Sequence, residues 1–160
     1  MKKTLFTAII LLLSLGNMAA QSPAIQEFRQ IVAARQSQFK NLQGDLLQDS
    51  PDKGLQIYAS TIGESPISRS LITQHTVEGA TYLINYNVEA MDAMKLRLFT
   101  MLVEQYMAEL NAMVASGNYK GRDYESNGET ITELTDMEDN LVAQYISSST
   151  NHLLMVFGKS

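Results

Sequence analysis

The stretch that decides the fold is EAMDAMKLRLFTMLVEQYMAELNAMVASG, residues 89–117. It holds five of the nine methionines in the 160-residue chain. Its apolar residues recur at spacings of three and four, which predicts a long helix over residues 89–116 that stops at Gly117. Charged side chains interrupt every apolar window, so this helix is not expected to span a membrane. The charged residues are Lys95, Arg97, Glu104 and Glu109.

The apolar arc of this predicted helix covers well over half of its circumference. A helix that packs on one sheet needs an apolar sector of only about 100°, so another element or a partner must cover the rest. Core packing is the expected role for most of the arc. Methionine also recurs on recognition surfaces, and one flank is therefore a candidate partner surface made of Leu96, Val103, Met107 and Val114.

An amphipathic helix is predicted ahead of this stretch. It begins near Pro23, which suits a first helical turn, and its periodic apolar residues run to Leu42, with Gly44 as the stop. The segment GDLLQDSPDKG, residues 44–54, is rich in turn formers and predicts a linker. Enriched β-branched and aromatic residues, separated by short turn sequences, then predict three strands at residues 55–62, 67–75 and 80–87.

The chain after the long helix predicts a second group of three strands. The segment NYKGRDYESNGE, residues 118–129, is polar and predicts a loop. The strands are expected at residues 130–136, 141–149 and 152–158. Residues 21–160 are thus predicted to form one α+β domain in the order α-βββ-α-βββ. Its architecture would be a two-layer sandwich, with antiparallel sheet(s) and two helices on one face.

The first 20 residues, MKKTLFTAIILLLSLGNMAA, have the layout of a secretory signal peptide. Cleavage is expected near Ala20-Gln21, with export to the periplasm or out of the cell. Met18 then stands at the −3 position, where a small residue is preferred, so an uncleaved N-terminal anchor stays open as the alternative. The chain has no cysteine, which excludes a lipid-bearing N-terminus and disulfide bonds.

The charge balance argues against nucleic-acid binding. The chain holds 12 Lys and Arg against 17 Asp and Glu, a formal net charge of −5. The first 20 residues carry two lysines and no acidic residue, so the remainder holds 10 and 17, or −7. An acidic surface repels phosphate backbones, and neither nucleic acid nor an anionic membrane surface is an expected partner.

Motifs for catalysis and for phosphate binding are missing from the sequence. It contains no G-x-S-x-G, no G-x-G-x-x-G and no P-loop pattern. The two histidines, His75 and His152, are predicted at strand ends, exposed to solvent. We therefore predict no catalytic residue, no cofactor and no bound metal.

Acidic and tyrosine side chains are the remaining candidates for a site. The best metal candidate among them is an acidic cluster that lacks the spacing of a calcium loop, so a solvated hairpin turn is favoured. The cluster consists of Glu133, Asp136, Glu138, Asp139 and Asn140. A second acidic group has the same interpretation and consists of Asp45, Asp49 and Asp52. Four tyrosines could line a groove or pack in the core, namely Tyr82, Tyr86, Tyr124 and Tyr145.

Three functions are compatible with the sequence. The leading hypothesis is a non-enzymatic, exported protein that binds another protein or a peptide through a sheet face or the exposed flank of the long helix. The second is a carrier of a small apolar ligand between the long helix and the sheet, which needs an enclosed apolar cavity of roughly 300 Å³ or more. The third is a hydrolase, which needs a cleft where acidic side chains or a histidine converge with perturbed pKa values.

Overall fold

The computed structural model describes residues 22–159 as two helices on one eight-stranded antiparallel sheet. The strand order is β1-β2-β3-β4-β8-β7-β6-β5. The predicted α+β class is confirmed, whereas the predicted signal peptide and its cleavage site lie outside the described residues. The elements are α1 (Pro23–Ala34), β1 (Gln43–Ser50), β2 (Leu55–Ser60), β3 (Arg69–His75), β4 (Gly79–Asn87), α2 (Ala93–Ala115), β5 (Tyr119–Ser126), β6 (Glu129–Asp136), β7 (Leu141–Ser147) and β8 (Asn151–Phe157).

Helix α1 is shorter than its apolar pattern predicts. It begins with Ser22 as N-cap, whose hydroxyl accepts the Ile25 N–H at 3.3 Å. It ends at Ala34 rather than near Gly44, because Gln38 and Phe39 adopt left-handed φ angles of +54° and +57°. The Phe39 N–H then donates to the Ala34 carbonyl at 3.0 Å and closes the last turn.

Beyond Ala34 the chain continues in short 3₁₀ turns, yet its apolar residues are buried as the pattern predicts. Phe39 and Leu42 are 0% and 2% exposed. The periodicity therefore identified core positions correctly but did not predict the chain reversal that places them.

Two segments predicted as connections are edge strands, which is a correction to the sequence interpretation. β1 occupies most of the predicted linker, and β5 occupies most of the predicted polar loop. Most side chains of both strands are exposed, so main-chain hydrogen bonds to one neighbour hold them and no apolar alternation marks them. The element order is consequently α-ββββ-α-ββββ. The two halves meet where β4 pairs with β8.

The core lies between the sheet and both helices. On β4 the face that carries Ala80, Tyr82, Ile84 and Tyr86 is buried, and the buried residues of both halves join one cluster. Helix α2 contributes Phe99, Tyr106 and Leu110 to this cluster. No helix among residues 22–159 combines the length and apolar composition of a membrane span.

Helix α1 covers one flank of α2. The rings of Phe28 and Tyr106 meet edge to face with centroids 5.6 Å apart. Arg29 donates from Nε and Nη2 to the two carboxylate oxygens of Glu109, at 2.7 and 2.9 Å. Glu109 is 7% exposed, so this bidentate pair fixes the register of the two helices.

The turn after α1 is fastened to the ends of β4, β7 and β8. Arg35 is buried and donates to the carbonyls of Phe157 and Leu141, at 2.9 and 3.0 Å. Gln38 accepts the Ala80 N–H at 2.8 Å and donates to the Lys159 carbonyl. These contacts hold the first helix to both halves of the sheet.

Candidate functional site

The two faces of the sheet differ because both helices pack on the same one. Side chains alternate between faces along each strand, so every second residue points away from the helices. We call this second surface the helix-free face. On β3 it carries Arg69, Leu71, Thr73 and His75.

An apolar patch occupies the middle of the helix-free face. Six aliphatic side chains from five strands lie opposite one another in two cross-strand rows. Leu71 is 36% exposed and the other five are partly exposed. The first row holds Leu71, Leu83 and Met155, and the second holds Leu153, Ile146 and Ile131.

This apolar patch has no share in the core beneath the helices. None of its six residues belongs to the buried cluster or to the side chains packed against it. Contiguous, partly exposed apolar surface outside the core is a feature of interaction sites. The patch is thus the feature of the helix-free face with the clearest binding character.

A polar network borders the apolar patch. The first row continues from Met155 to Gln144, Glu133 and Arg122. Arg122 Nε and Nη2 both lie 2.7 Å from Glu133 Oε1. Gln144 and Tyr124 donate to Glu133 Oε2 at 2.8 and 3.2 Å. Glu133 is therefore saturated with donors although it is only 6% exposed.

The network keeps Glu133 ionised. Burial opposes its charged form, but the hydrogen bonds from Gln144 and Arg122 outweigh burial and hold the pKa of Glu133 below its ordinary value. A carboxylate locked in this way is a poor proton donor near neutral pH. Its role is to fix Arg122 at the border of the patch.

The candidate partner surface predicted on the long helix is divided by the fold. Leu96 and Val114 are 43% and 36% exposed. Val103 and Met107 are partly buried and pack against the core.

The most exposed apolar residues of α2 lie outside that predicted set. They are Met94, Leu98 and Met101, at spacings of four and three, and they are at least half exposed. The residues that sequence reasoning missed therefore belong to the adjoining part of the same apolar arc.

The two histidines lie on opposite faces of the sheet and form no common site. His75 ends β3, and its Nδ1 accepts the N–H groups of Val77 and Glu78 at 3.3 and 3.2 Å. His75 was predicted to be exposed and is partly buried, and so is His152. His152 faces α2, with the Phe99 ring 4.9 Å away and the Tyr145 hydroxyl 2.5 Å from Nδ1. Burial lowers its pKa.

Apart from Glu133, the acidic candidates form turns and exposed edges. Asp136 Oδ1 accepts the N–H groups of Glu138 and Asn140 at 3.0 and 2.9 Å, and this builds the predicted turn between β6 and β7. The Asn140 side chain adds a further hydrogen bond, and together these bonds hold the pKa of Asp136 below its usual range. Asp139 pairs with Lys120 at 2.6 Å.

The acidic clusters do not converge on a common point. Within residues 22–159 no group of three or more His, Asp or Glu side chains is arranged to hold a metal ion. Asp45 and Asp49 lie on the edge strand β1, and Asp52 lies in the 3₁₀ turn that follows; all three are exposed.

The four tyrosine candidates do not line one groove. Tyr82, Tyr86 and Tyr145 are buried on the helix side, and Tyr124 lies on the helix-free face. The Tyr86 hydroxyl lies 3.1 Å from the Tyr106 hydroxyl of α2. These tyrosines therefore serve mainly to pack the two layers together.

No protein-family model, no curated protein and no solved structure matches this chain.

Proposed function

We propose that this protein is a non-enzymatic binding protein whose helix-free face takes a protein or peptide partner. The single observation that supports this proposal is the apolar patch, whose two rows run across β3, β4, β8, β7 and β6 on the face away from both helices. Export to the periplasm or out of the cell remains part of the proposal, and it is based on residues 1–20.

The border of the patch suggests the chemistry of the partner. Arg69 stands at one end of the second row, paired across Asn85 with Leu153. Arg122 ends the first row at the opposite side of the sheet. A partner with an apolar segment followed by a carboxylate would match the patch and Arg69, because Glu133 already pairs with Arg122.

A carrier of a small apolar ligand is less well supported. The space between α2 and the centre of the sheet is filled by aromatic contacts, with Phe99 at 5.3 Å from Tyr86 and 4.9 Å from His152. The depressions described on the surface are open rather than enclosed, and each includes at least one charged residue in its lining.

A hydrolase is also less well supported. The most buried carboxylates, Glu109 and Glu133, each accept from an arginine. They lie on different layers of the molecule, one on α2 and one on the helix-free face. Neither His75 nor His152 contacts them.

The proposal is tested by charge substitution on the patch. The double variant Leu83→Lys/Met155→Lys places two cations on the helix-free face. The matched control, Leu98→Lys/Met101→Lys, makes the same charge change on the exposed part of α2. Far-UV circular dichroism and thermal unfolding establish that both variants fold.

Affinity capture from cell extract then compares the partners bound by each variant and the wild type. Photo-crosslinking from position 83 of the otherwise wild-type chain shows whether a captured partner contacts the patch. The expected result is that the patch variant loses the partners captured by the wild type while the α2 control retains them. If the patch variant keeps them and the α2 control loses them, the partner surface is on the helix and the proposal is wrong.

A further inference from the structure

A second surface feature lies where β3 begins and β4 ends. It is a pocket of about 400 Å³, and we call it the end pocket. Its wall is formed by residues 65–68, by the ends of the two strands and by the start of α2. Its charged lining residues are Arg69 and Lys95, and none of its lining residues is acidic.

The end pocket differs in charge from the other described depressions. Each of those three has at least one acidic residue in its lining: Glu133 and Asp139 in the first, Asp49 in the second and Glu109 in the third. Arg29, Lys120 and Arg122 each form an ion pair. Within residues 22–159, by contrast, the side chains of Arg69 and Lys95 have no carboxylate partner. Both residues line the same pocket, so an anion bound there would be attracted by two positive charges.

The polar groups of the end pocket are mainly donors. Asn85 stands directly opposite Arg69 in the β3–β4 ladder, and Asn87 lies two residues further on the same face. The Asn87 side-chain oxygen accepts the Ala90 N–H at 3.3 Å, which leaves its amide group free to donate. An arginine fork, an ammonium group and carboxamide donors together suit a carboxylate or phosphate group.

The wall of the end pocket is held in place by its own hydrogen bonds. The hydroxyls of Ser65 and Ser68 lie 2.7 Å apart, and Ser68 also donates to the Gly63 carbonyl at 3.0 Å. Ser68 is 7% exposed. A fixed wall lowers the entropic cost of ordering a ligand against it.

We propose that the end pocket binds an oxyanion, with Arg69 donating paired hydrogen bonds and Lys95 supplying a second positive charge. The end pocket shares Arg69 with the border of the apolar patch, but binding of a free oxyanion there requires no partner at the patch. It predicts recognition of a carboxylate or a phosphate by a protein whose overall charge is negative.

The test is an NMR titration of the ¹⁵N-labelled protein with sodium acetate and, separately, with sodium phosphate. Sodium chloride at matched ionic strength is the reference. Saturable shifts of the Asn85 and Asn87 side-chain amides and of the Lys95 amide are expected with at least one oxyanion. The oxyanion with the lower dissociation constant shows whether the pocket prefers a carboxylate or a phosphate group.

Two single variants and a control complete the test. Arg69→Gln and Lys95→Gln are each expected to weaken the affinity by about tenfold, the effect of losing a charge-assisted hydrogen bond. Arg97→Gln removes the same charge from an exposed position on α2 outside the pocket and should leave the affinity unchanged. The proposal is overturned if neither oxyanion gives saturable shifts, if chloride reproduces them, or if Arg97→Gln weakens binding as much as the pocket variants.

Discussion

At the scale of single residues, the hydroxyl pair of Tyr86 and Tyr106 shows how the two layers are matched. Both groups are buried and their oxygens are 3.1 Å apart. Burial raises the pKa of both hydroxyls, that of Tyr106 to about 12, so both stay neutral under ordinary conditions. Each hydroxyl is the partner that makes burial of the other tolerable.

Removing one member of this pair should cost more than removing both. Tyr106→Phe leaves the Tyr86 hydroxyl buried without its partner and is expected to lower the free energy of unfolding by about 1–2 kcal/mol. Tyr86→Phe/Tyr106→Phe should recover most of that loss. Urea denaturation of Tyr86→Phe, Tyr106→Phe and the double variant measures the three losses. A double variant whose loss equals the sum of the two single losses would contradict the coupling.

His152 should make stability depend on pH just below neutrality. Burial favours the neutral imidazole, so its folded pKa lies below the unfolded value of about 6.5. Between these two values the unfolded chain binds more protons, and the free energy of unfolding therefore falls as pH drops below about 6.5. Urea denaturation at pH 7.5 and 5.5 should show this decrease.

The variant His152→Gln should flatten this pH dependence, whatever its effect on absolute stability. His75→Gln is the control, because His75 lies on the other face and should leave the dependence in place. If the wild type and His152→Gln lose equal stability over the same interval, the assignment to His152 is wrong.

At the scale of elements, the approach of α2 to the edge strand β5 depends on one glycine. A Cβ atom at position 121 would lie only 2.9 Å from Cγ2 of Val114. Gly121→Ala is therefore expected to destabilise the fold by about 1–3 kcal/mol through overpacking. Val114→Ala in the same chain should restore most of this, since it removes the methyl group that clashes. Thermal unfolding of the two single variants and the double variant checks the pair.

Elements were predictable where an apolar pattern marks them. The long helix repeats its apolar residues at helical spacing, and the predicted strands were recognised by their β-branched and aromatic residues and the short turns between them. β1 and β5 have no such pattern, since their side chains mostly face solvent. One local sign was present: Asn127-Gly128, with φ angles of +53° and +81°, forms the two-residue turn between β5 and β6.

The sites were less predictable than the elements. The apolar patch unites Leu71, Leu83 and Met155 from three strands, and only the pairing of β4 with β8 makes the last two neighbours. The end pocket likewise brings Arg69 of β3 to Lys95 of α2. Such contacts depend on sheet order, which local periodicity does not contain.

At the scale of the whole molecule, the β4–β8 ladder joins the two halves. It pairs seven positions, from Thr81–Phe157 to Asn87–Asn151. Opening it would leave two four-stranded sheets, each with a newly unpaired edge and a divided core. We therefore expect the described region to unfold in one cooperative transition.

Leu154→Ala tests this expectation at the joining ladder. Leu154 is 1% exposed, and its truncation should cost about 2–5 kcal/mol. The unfolding curve should shift while keeping a single transition, with circular dichroism and tyrosine fluorescence superimposing. Two separate transitions would show that the halves are stable units by themselves.

The central position of β8 also constrains how the molecule is made. β8 follows all seven other strands along the chain, yet it fills the middle of the sheet. During synthesis, the edges of β4 and β7 that pair with β8 therefore lack main-chain hydrogen-bond partners until residues 151–157 have left the ribosome. A nascent chain that stops short of them lacks a central strand rather than an edge strand, and its unpaired strand edges stay accessible to chaperones until that point.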